Sequence, residues 1–373
     1  MAATSPFFAW LNIVANVLLQ VAKGQIIRLD IGYIDLPPYG YGLFYPMKAE
    51  QHQVMDILID TGSESDYFFF AWKQWYEKST GKSCDHMPGG CYACNHPCTP
   101  RAPMKSIEYE DGVAASIFQH KGKMSIGTNP PIDLTFGLLY DQDPPPTLQA
   151  PVNTLGLGPY KGDPNFPSLM KQLQTAGEVD NGTFALCLFP SPLMGVLMLG
   201  GGYPSLYKHP LQYVELGMAS GYTVKLDTFQ VGSAFKTIGI KEDVYLDTGC
   251  HFLYVSQPYY DKLIKDIKAE ANKAANMTVP ITFDSGRDVW TFPCQNITIM
   301  PPLAFGLGPN GTVPLTMSYI NYAMNDKGYC HFIIKKGNDT SWAFPDRMLI
   351  GNYLEFQPEQ GRVGIAPLSS RYT

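Results

Sequence analysis

The tripeptide Asp-Thr-Gly occurs twice, at Asp60-Thr61-Gly62 and at Asp247-Thr248-Gly249, and nothing else in the chain constrains its fold so strongly. A single copy would be an ordinary polar turn. The two copies stand 187 residues apart. Each follows an apolar run, Val54 to Ile59 and Val244 to Leu246, and precedes another, Tyr67 to Phe70 and Phe252 to Val255. Each therefore reads as a strand, a glycine-assisted loop and a returning strand. A chain that repeats this unit is expected to fold as two comparable halves, each presenting one carboxylate.

The rest of the composition suits that outline. The 373 residues are 45% hydrophobic, enough for a large core divided between two lobes. With 35 Gly and 31 Pro, many short strands joined by turns are expected, and hence an all-β fold. The net charge of −6 comes without a long Lys/Arg run, so nucleic acid is not an expected partner.

Two carboxylates brought together cannot both ionise easily, so one pKa rises and the pair holds a single proton. The ionised member can then take a proton from water while the protonated member polarises a carbonyl. That is peptide hydrolysis with neither a metal nor a covalent intermediate, and no cofactor is expected. A cysteine nucleophile paired with a histidine such as His251 has no local signature, and the seven histidines show no metal-ligand spacing.

The repeated motif and the landmarks around it resemble those of a pepsin-type aspartic protease, and in detail the plant nucellin branch. The resemblance implies a bilobal fold of two pseudo-symmetric β-rich lobes, residues 25–206 and 207–373, with the boundary around Pro204 to Pro210. Between them would run a cleft that takes an extended polypeptide substrate of six to eight residues or so. It also implies that Asp60 and Asp247 are catalytic, supported by Thr61, Gly62, Ser63, Thr248, Gly249 and Cys250. A monomeric endopeptidase is the expected form. The alternative from another class is a catalytically silent member of the same fold, serving as an inhibitor or binding protein.

Other positions match the family residue by residue. Ile107 to Gly112 reads as a strand entering an Asp-Gly hairpin turn, and the resemblance makes Tyr109 the flap tyrosine, with Gly112 in the turn. Thr154-Leu155-Gly156-Leu157-Gly158 resembles the segment lying beneath the first Asp loop, and Leu349-Ile350-Gly351-Asn352 its counterpart beneath the second. Two departures stand out. Tyr67 occupies the position of a tryptophan that usually braces the flap tyrosine, though its phenol can still donate a hydrogen bond. Cys250 replaces a Ser or Thr whose hydroxyl usually bonds the second carboxylate. A thiol is a weak donor, so Asp247 should hold its proton more tightly.

Eight cysteines, an even number, suit an oxidising compartment. Cys84, Cys91, Cys94 and Cys98 cluster among Gly and Pro and are expected to form two disulfides, with a zinc knuckle the other reading of Cys91-x-x-Cys94. The resemblance implies a Cys294–Cys330 disulfide. For Cys187 and Cys250, both a mutual disulfide and free thiols are open. Phe7 to Ala22 is apolar and ends in small residues, as in a signal peptide spanning residues 1–24, with a buried helix as the alternative. Sequons at Asn181, Asn276, Asn296, Asn310 and Asn338 agree with a secreted or vacuolar glycoprotein, and no membrane span is expected once the signal is removed.

Overall fold

A computed structural model describes residues 25–36, 40–50, 53–191, 193–219, 221–337 and 340–372. The expected signal segment and the sequon at Asn338 lie outside these residues. Among the described residues the regular structure is mostly strand, arranged in three sheets, in line with the all-β expectation.

The first half supplies β1 (Ile27–Leu36), β2 (Gly40–Ala49), β3 (Val54–Glu64), β4 (Phe68–Ala71), β5 (Met104–Glu108), β6 (Ala114–Ser125), β7 (Ile132–Asp143), β8 (Thr154–Gly158), β9 (Phe184–Leu188) and β10 (Met194–Leu199). The second half supplies β11 (Gln212–Glu215), β12 (Thr223–Val231), β13 (Phe235–Leu246), β14 (Leu253–Val255), β15 (Thr282–Asp284), β16 (Val289–Phe292), β17 (Leu303–Leu307), β18 (Val313–Met317), β19 (Ala323–Asp326), β20 (Tyr329–Phe332), β21 (Ile334–Lys336), β22 (Trp342–Phe344), β23 (Asn352–Gln357) and β24 (Arg362–Pro367).

The largest sheet has 13 strands in the order β11-β24-β23-β9-β10-β1-β2-β3-β8-β4-β7-β6-β5, with β6 also pairing back to β2. Its end formed by β11, β24 and β23 comes from the second half of the chain, so one sheet runs beneath both halves. A 7-stranded sheet, β18-β17-β12-β13-β22-β14-β21, carries the second Asp loop, and a 4-stranded sheet, β15-β16-β20-β19, stands beside it.

The two Asp motifs occupy matching positions in these sheets. In the first half β3 pairs in parallel with β8, Asp60 opposite Gly156, and β4 returns antiparallel to β8, Phe68 opposite Leu155. In the second half β13 pairs in parallel with β22, Leu246 opposite Phe344, and β14 returns antiparallel to it, Tyr254 opposite Ala343. Towards the Asp motif burial alternates along both strands, and there Leu58–Ile59 and Val244–Leu246 enter the parallel pairing.

Here one expectation is corrected. The strand beneath the second loop is Trp342–Phe344, not the Leu349-Ile350-Gly351-Asn352 run. Leu349 closes a tight turn, Gly351 takes a left-handed φ of 78° with its N–H on the Leu188 carbonyl, and Asn352 starts β23. Glycine is demanded only beneath the first loop. There β3 continues as strand to Glu64, and a Cβ on Gly156 or Gly158 would strike the carbonyls of Glu64 or Ser63. Strand β13 stops at Leu246, so β22 carries a tryptophan and a phenylalanine without crowding.

Each half has its own aromatic core. Phe68, Phe70, Tyr92 and Phe136 pack edge-on or tilted beneath the first loop. Beneath the second, Trp342 is fully buried against Phe229, Tyr259 and Phe305, with its indole N–H donated to Glu242 at 2.6 Å. Among the helices, α1 (Lys73–Thr80) follows β4, α2 (Leu169–Thr175) lies near β7, and α3 (Gln257–Ala275) packs on the second half. Leu263, Ile264 and Ile267 of α3 are buried, as their helical spacing predicts.

The cysteine cluster forms two disulfides, Cys84–Cys91 and Cys94–Cys98, and Cys294–Cys330 forms a third. The first two flank Tyr92, which exchanges backbone hydrogen bonds with Ala71 and Lys73 and puts its ring into the first core. The insertion thus plugs the core while it decorates the surface. Cys187 and Cys250 are free thiols. The sequons at Asn276 and Asn310 are exposed, and those at Asn181 and Asn296 are partly so. Among the described residues no helix is long and apolar enough to cross a membrane.

Candidate active site

Each Asp loop is fastened to the other by its threonine. The Thr61 hydroxyl donates to the Leu246 carbonyl and the Thr248 hydroxyl to the Ile59 carbonyl, both at 2.7 Å. Each hydroxyl also accepts the backbone N–H of the opposite threonine at 3.0 Å. Both threonines are fully buried, so these four bonds form out of competition with water and hold the loops at a fixed separation.

The glycines let the loops approach. A Cβ on Gly62 would overlap the Asp247 carboxyl, and one on Gly249 would overlap the Asp60 carboxyl. Asp60 and Asp247 therefore face each other across the seam, within hydrogen-bonding reach.

Their surroundings differ. Asp60 is 7% exposed and accepts three hydrogen bonds, from the N–H groups of Gly62 (2.9 Å) and Ser63 (3.0 Å) and from the Ser63 hydroxyl (2.6 Å). Asp247 accepts one backbone bond, from Gly249 at 2.9 Å. The Cys250 thiol turns away from it and donates to the Phe252 carbonyl at 3.2 Å. Burial raises the pKa of both carboxyls, but the donors on Asp60 oppose the rise. For Asp247 burial and then the Asp60 charge push the value up to about 8. The shared proton accordingly resides on Asp247 and the charge on Asp60. Burial and the Asp247 charge also push the Cys250 thiol up, so it stays protonated.

Over the dyad reaches the β5–β6 hairpin. Tyr109 N–H donates to the Val113 carbonyl and Gly112 N–H to the Tyr109 carbonyl, closing a turn in which Gly112 takes a φ of 90°. The Tyr109 phenol lies close to Thr154 at the start of β8, and burial raises its pKa well above the ordinary value. Tyr67 meets the Tyr109 ring edge-on, centroids 6.2 Å apart. Ring contact, rather than the expected phenol hydrogen bond, is its brace on the flap.

Three positions at this site carry no motif and were missed in the sequence. Lys105 on β5 pairs with the buried Asp66 at 2.6 Å and lies over the Tyr67 ring at 4.7 Å, so the root of the hairpin is pinned to the first Asp loop. Asn153, 1% exposed, accepts the Ala71 N–H and donates to the carbonyls of Asp56, Gly89 and Gly90, joining β3, β4 and the cysteine-rich insertion just ahead of β8. Asp346 sits fully buried behind the second loop. The first two partners lie 39 and up to 97 residues away, beyond any local pattern.

Two cavities of about 550 and 1380 Å³ lie on either side of the hairpin and share Asp60, Tyr109, Asp111 and Gly249 as a common wall. Together they line an open cleft beside the two carboxyls.

The description of the eukaryotic aspartyl proteases matches residues 49–368 of this chain. Among curated proteins, dog (Canis lupus familiaris) pepsin B is 23% identical over 214 residues, 54% of this chain and 50% of that protein. Chicken (Gallus gallus) pepsin A is 23% identical over 212 residues, 55% of this chain and 51% of that protein. Sheep (Ovis aries) pregnancy-associated glycoprotein 4 is 25% identical over 204 residues, 53% of this chain and 50% of that protein. The matched region is thus about half the length of each relative.

Proposed function

The chain belongs to the eukaryotic aspartyl protease family, and from that premise we propose that it is an endopeptidase whose water nucleophile is activated between Asp60 and Asp247. The observation that carries the reading is the unequal hydrogen bonding of the two carboxyls, three donors on Asp60 against one on Asp247, across loops locked by Thr61 and Thr248.

With its charge already compensated by Gly62 and Ser63, Asp60 is the general base: it takes a proton from the water as that water attacks the scissile carbonyl carbon. Asp247 donates its proton towards the carbonyl oxygen, which becomes a hydroxyl of the tetrahedral intermediate. Collapse breaks the C–N bond as a proton returns through the dyad to the leaving nitrogen. Tyr109 and its hairpin cover the reacting atoms and restrict water. Backbone groups along the groove would hold a peptide extended, and the lining side chains would select it.

The finer readings are part of the same proposal. The three disulfides agree with a secretory or vacuolar route, for which residues 1–24 would be the signal and the sequons the glycosylation sites. The cysteines between Asp60 and the flap support a place near the nucellin-like branch, and the lobes would divide near residue 206.

The test is cleavage of a peptide library between pH 3 and 7, with and without a pepstatin-type inhibitor. Inhibitable cleavage that disappears in Asp60→Ala and in Asp247→Asn is expected. A folded wild-type protein that cleaves nothing across this range would favour the silent binder.

A further inference from the structure

Directly behind the second Asp loop lies a carboxyl group for which peptide hydrolysis has no evident use. Asp346 follows β22, is fully buried, and neither of its carboxylate oxygens has a hydrogen-bond partner. A charge so placed is costly unless something answers it. The nearest group able to do so is the His251 imidazole, whose Nδ1 is 3.8 Å from Oδ2 of Asp346, just beyond hydrogen-bond reach. That Nδ1 is itself buried and without a partner. Two unpartnered polar groups thus face each other across a narrow gap.

The backbone holds them there. Asp346 N–H donates to the Cys250 carbonyl at 3.2 Å, so the segment bearing the carboxylate is tied to the residue just before His251. The His251 side chain is 39% exposed and lines the smaller cavity with Asp60, Asp111 and Gly249. It therefore touches both the substrate groove and the buried charge beneath it.

We propose that His251 is a positioning residue: as an imidazolium it donates its Nδ1–H to the Asp346 carboxylate, and the closed pair fixes the Gly249–His251 segment so that Asp247 is held against Asp60. The inference rests on the protease reading of that dyad. The proton comes from solvent as pH falls, and no other bond forms or breaks.

Other groups surround the pair. The Arg347 guanidinium, next in sequence, also favours the Asp346 charge, while it stacks over the Tyr33 ring and donates to the Ile320 carbonyl. The Tyr33 phenol, stacked on Tyr41, is pushed up by burial and remains neutral. The Cys250 thiol is engaged with Phe252. On the groove side, Asp60 and Asp111 line the same cavity as His251.

Two measurements on the whole protein test the pair. The His251 imidazole, with its NMR signals assigned by His251→Gln, should show at about pH 5 a protected Nδ1–H proton in wild type that is lost in Asp346→Asn. At the same pH, kcat of His251→Gln should fall about tenfold with little change in KM, and His251→Lys, which keeps a cation, should recover most of the loss. Because His251 is partly exposed, its variants should fold even if the buried Asp346→Asn does not. A wild-type imidazole with no such protected proton overturns the ion pair, and an unchanged kcat in His251→Gln overturns the positioning role. If wild type cleaves nothing while the protected proton is present, the protease reading and the positioning role fall and the ion pair alone stands.

Discussion

Thr61 and Thr248 each accept the other's backbone N–H at 3.0 Å, a reciprocal pair of bonds between residues that share no local stretch of chain. Since both hydroxyls also donate, the two threonines are satisfied without water, and the separation of the two carboxyls cannot drift without breaking several bonds together.

Thr61→Val keeps the shape of the side chain and removes its hydroxyl. It leaves the Leu246 carbonyl and the Thr248 N–H buried without their partner, at a cost of about 2–4 kcal/mol for the two groups. Denaturant unfolding should register that loss, together with a drop in kcat. A variant as stable as wild type would show that the crossed bonds are dispensable.

Cys250→Ser offers Asp247 a stronger donor than the thiol. If the hydroxyl turns to that carboxylate, the ionised form gains stability and the proton leaves at lower pH. The alkaline limb of kcat/KM should move about one pH unit in the acid direction. A limb that stays in place would mean that the hydroxyl keeps the thiol's bond to Phe252.

Lys105→Met removes the cation from Asp66, whose side chain is 2% exposed, and strands a buried carboxylate. Breaking such a pair costs about 3–5 kcal/mol, and KM should rise because the hairpin root loses its anchor. By contrast, Tyr67→Phe keeps the ring edge that meets Tyr109 and should change cleavage less than about twofold. A large loss in Tyr67→Phe would assign the brace to the phenol after all.

Stability should fall as pH rises. Asp56, Asp60 and Asp247 all have folded-state pKa values above the ordinary range, chiefly through burial. The folded chain therefore binds more protons than the unfolded chain between about pH 4 and the folded values. The stabilisation is complete below the unfolded pKa and is lost as pH climbs through the folded one, which for Asp247 is about 8. Melting temperature measured from pH 4 to 8 should decline, and Asp247→Asn should flatten the slope. A melting temperature that increases over this range would contradict the assignment.

How much was legible follows from where the partners lie. Gly62 and Ser63 bind Asp60 within three residues, so the motif itself predicts them. The flap is a local hairpin, and Gly112 marks its turn. The strand beneath the second loop was misplaced because a Leu-Ile-Gly run looks more like Leu155-Gly156-Leu157 than Trp342-Ala343-Phe344 does, and only the earlier end of β13 removes the need for glycine. Likewise, a tyrosine at position 67 suggests a hydroxyl donor, and only packing reveals that it works by its ring.

By itself the sequence determined that this protein has two strand-borne Asp-Thr-Gly loops on an all-β frame, because strand pattern, turn glycine and adjacent donors are all encoded within a few residues. Tertiary structure alone decided which carboxyl keeps the proton, what anchors the flap and what faces Asp346. Those outcomes depend on burial and on distances between groups far apart in the chain, and such energies exist only once the chain has closed on itself.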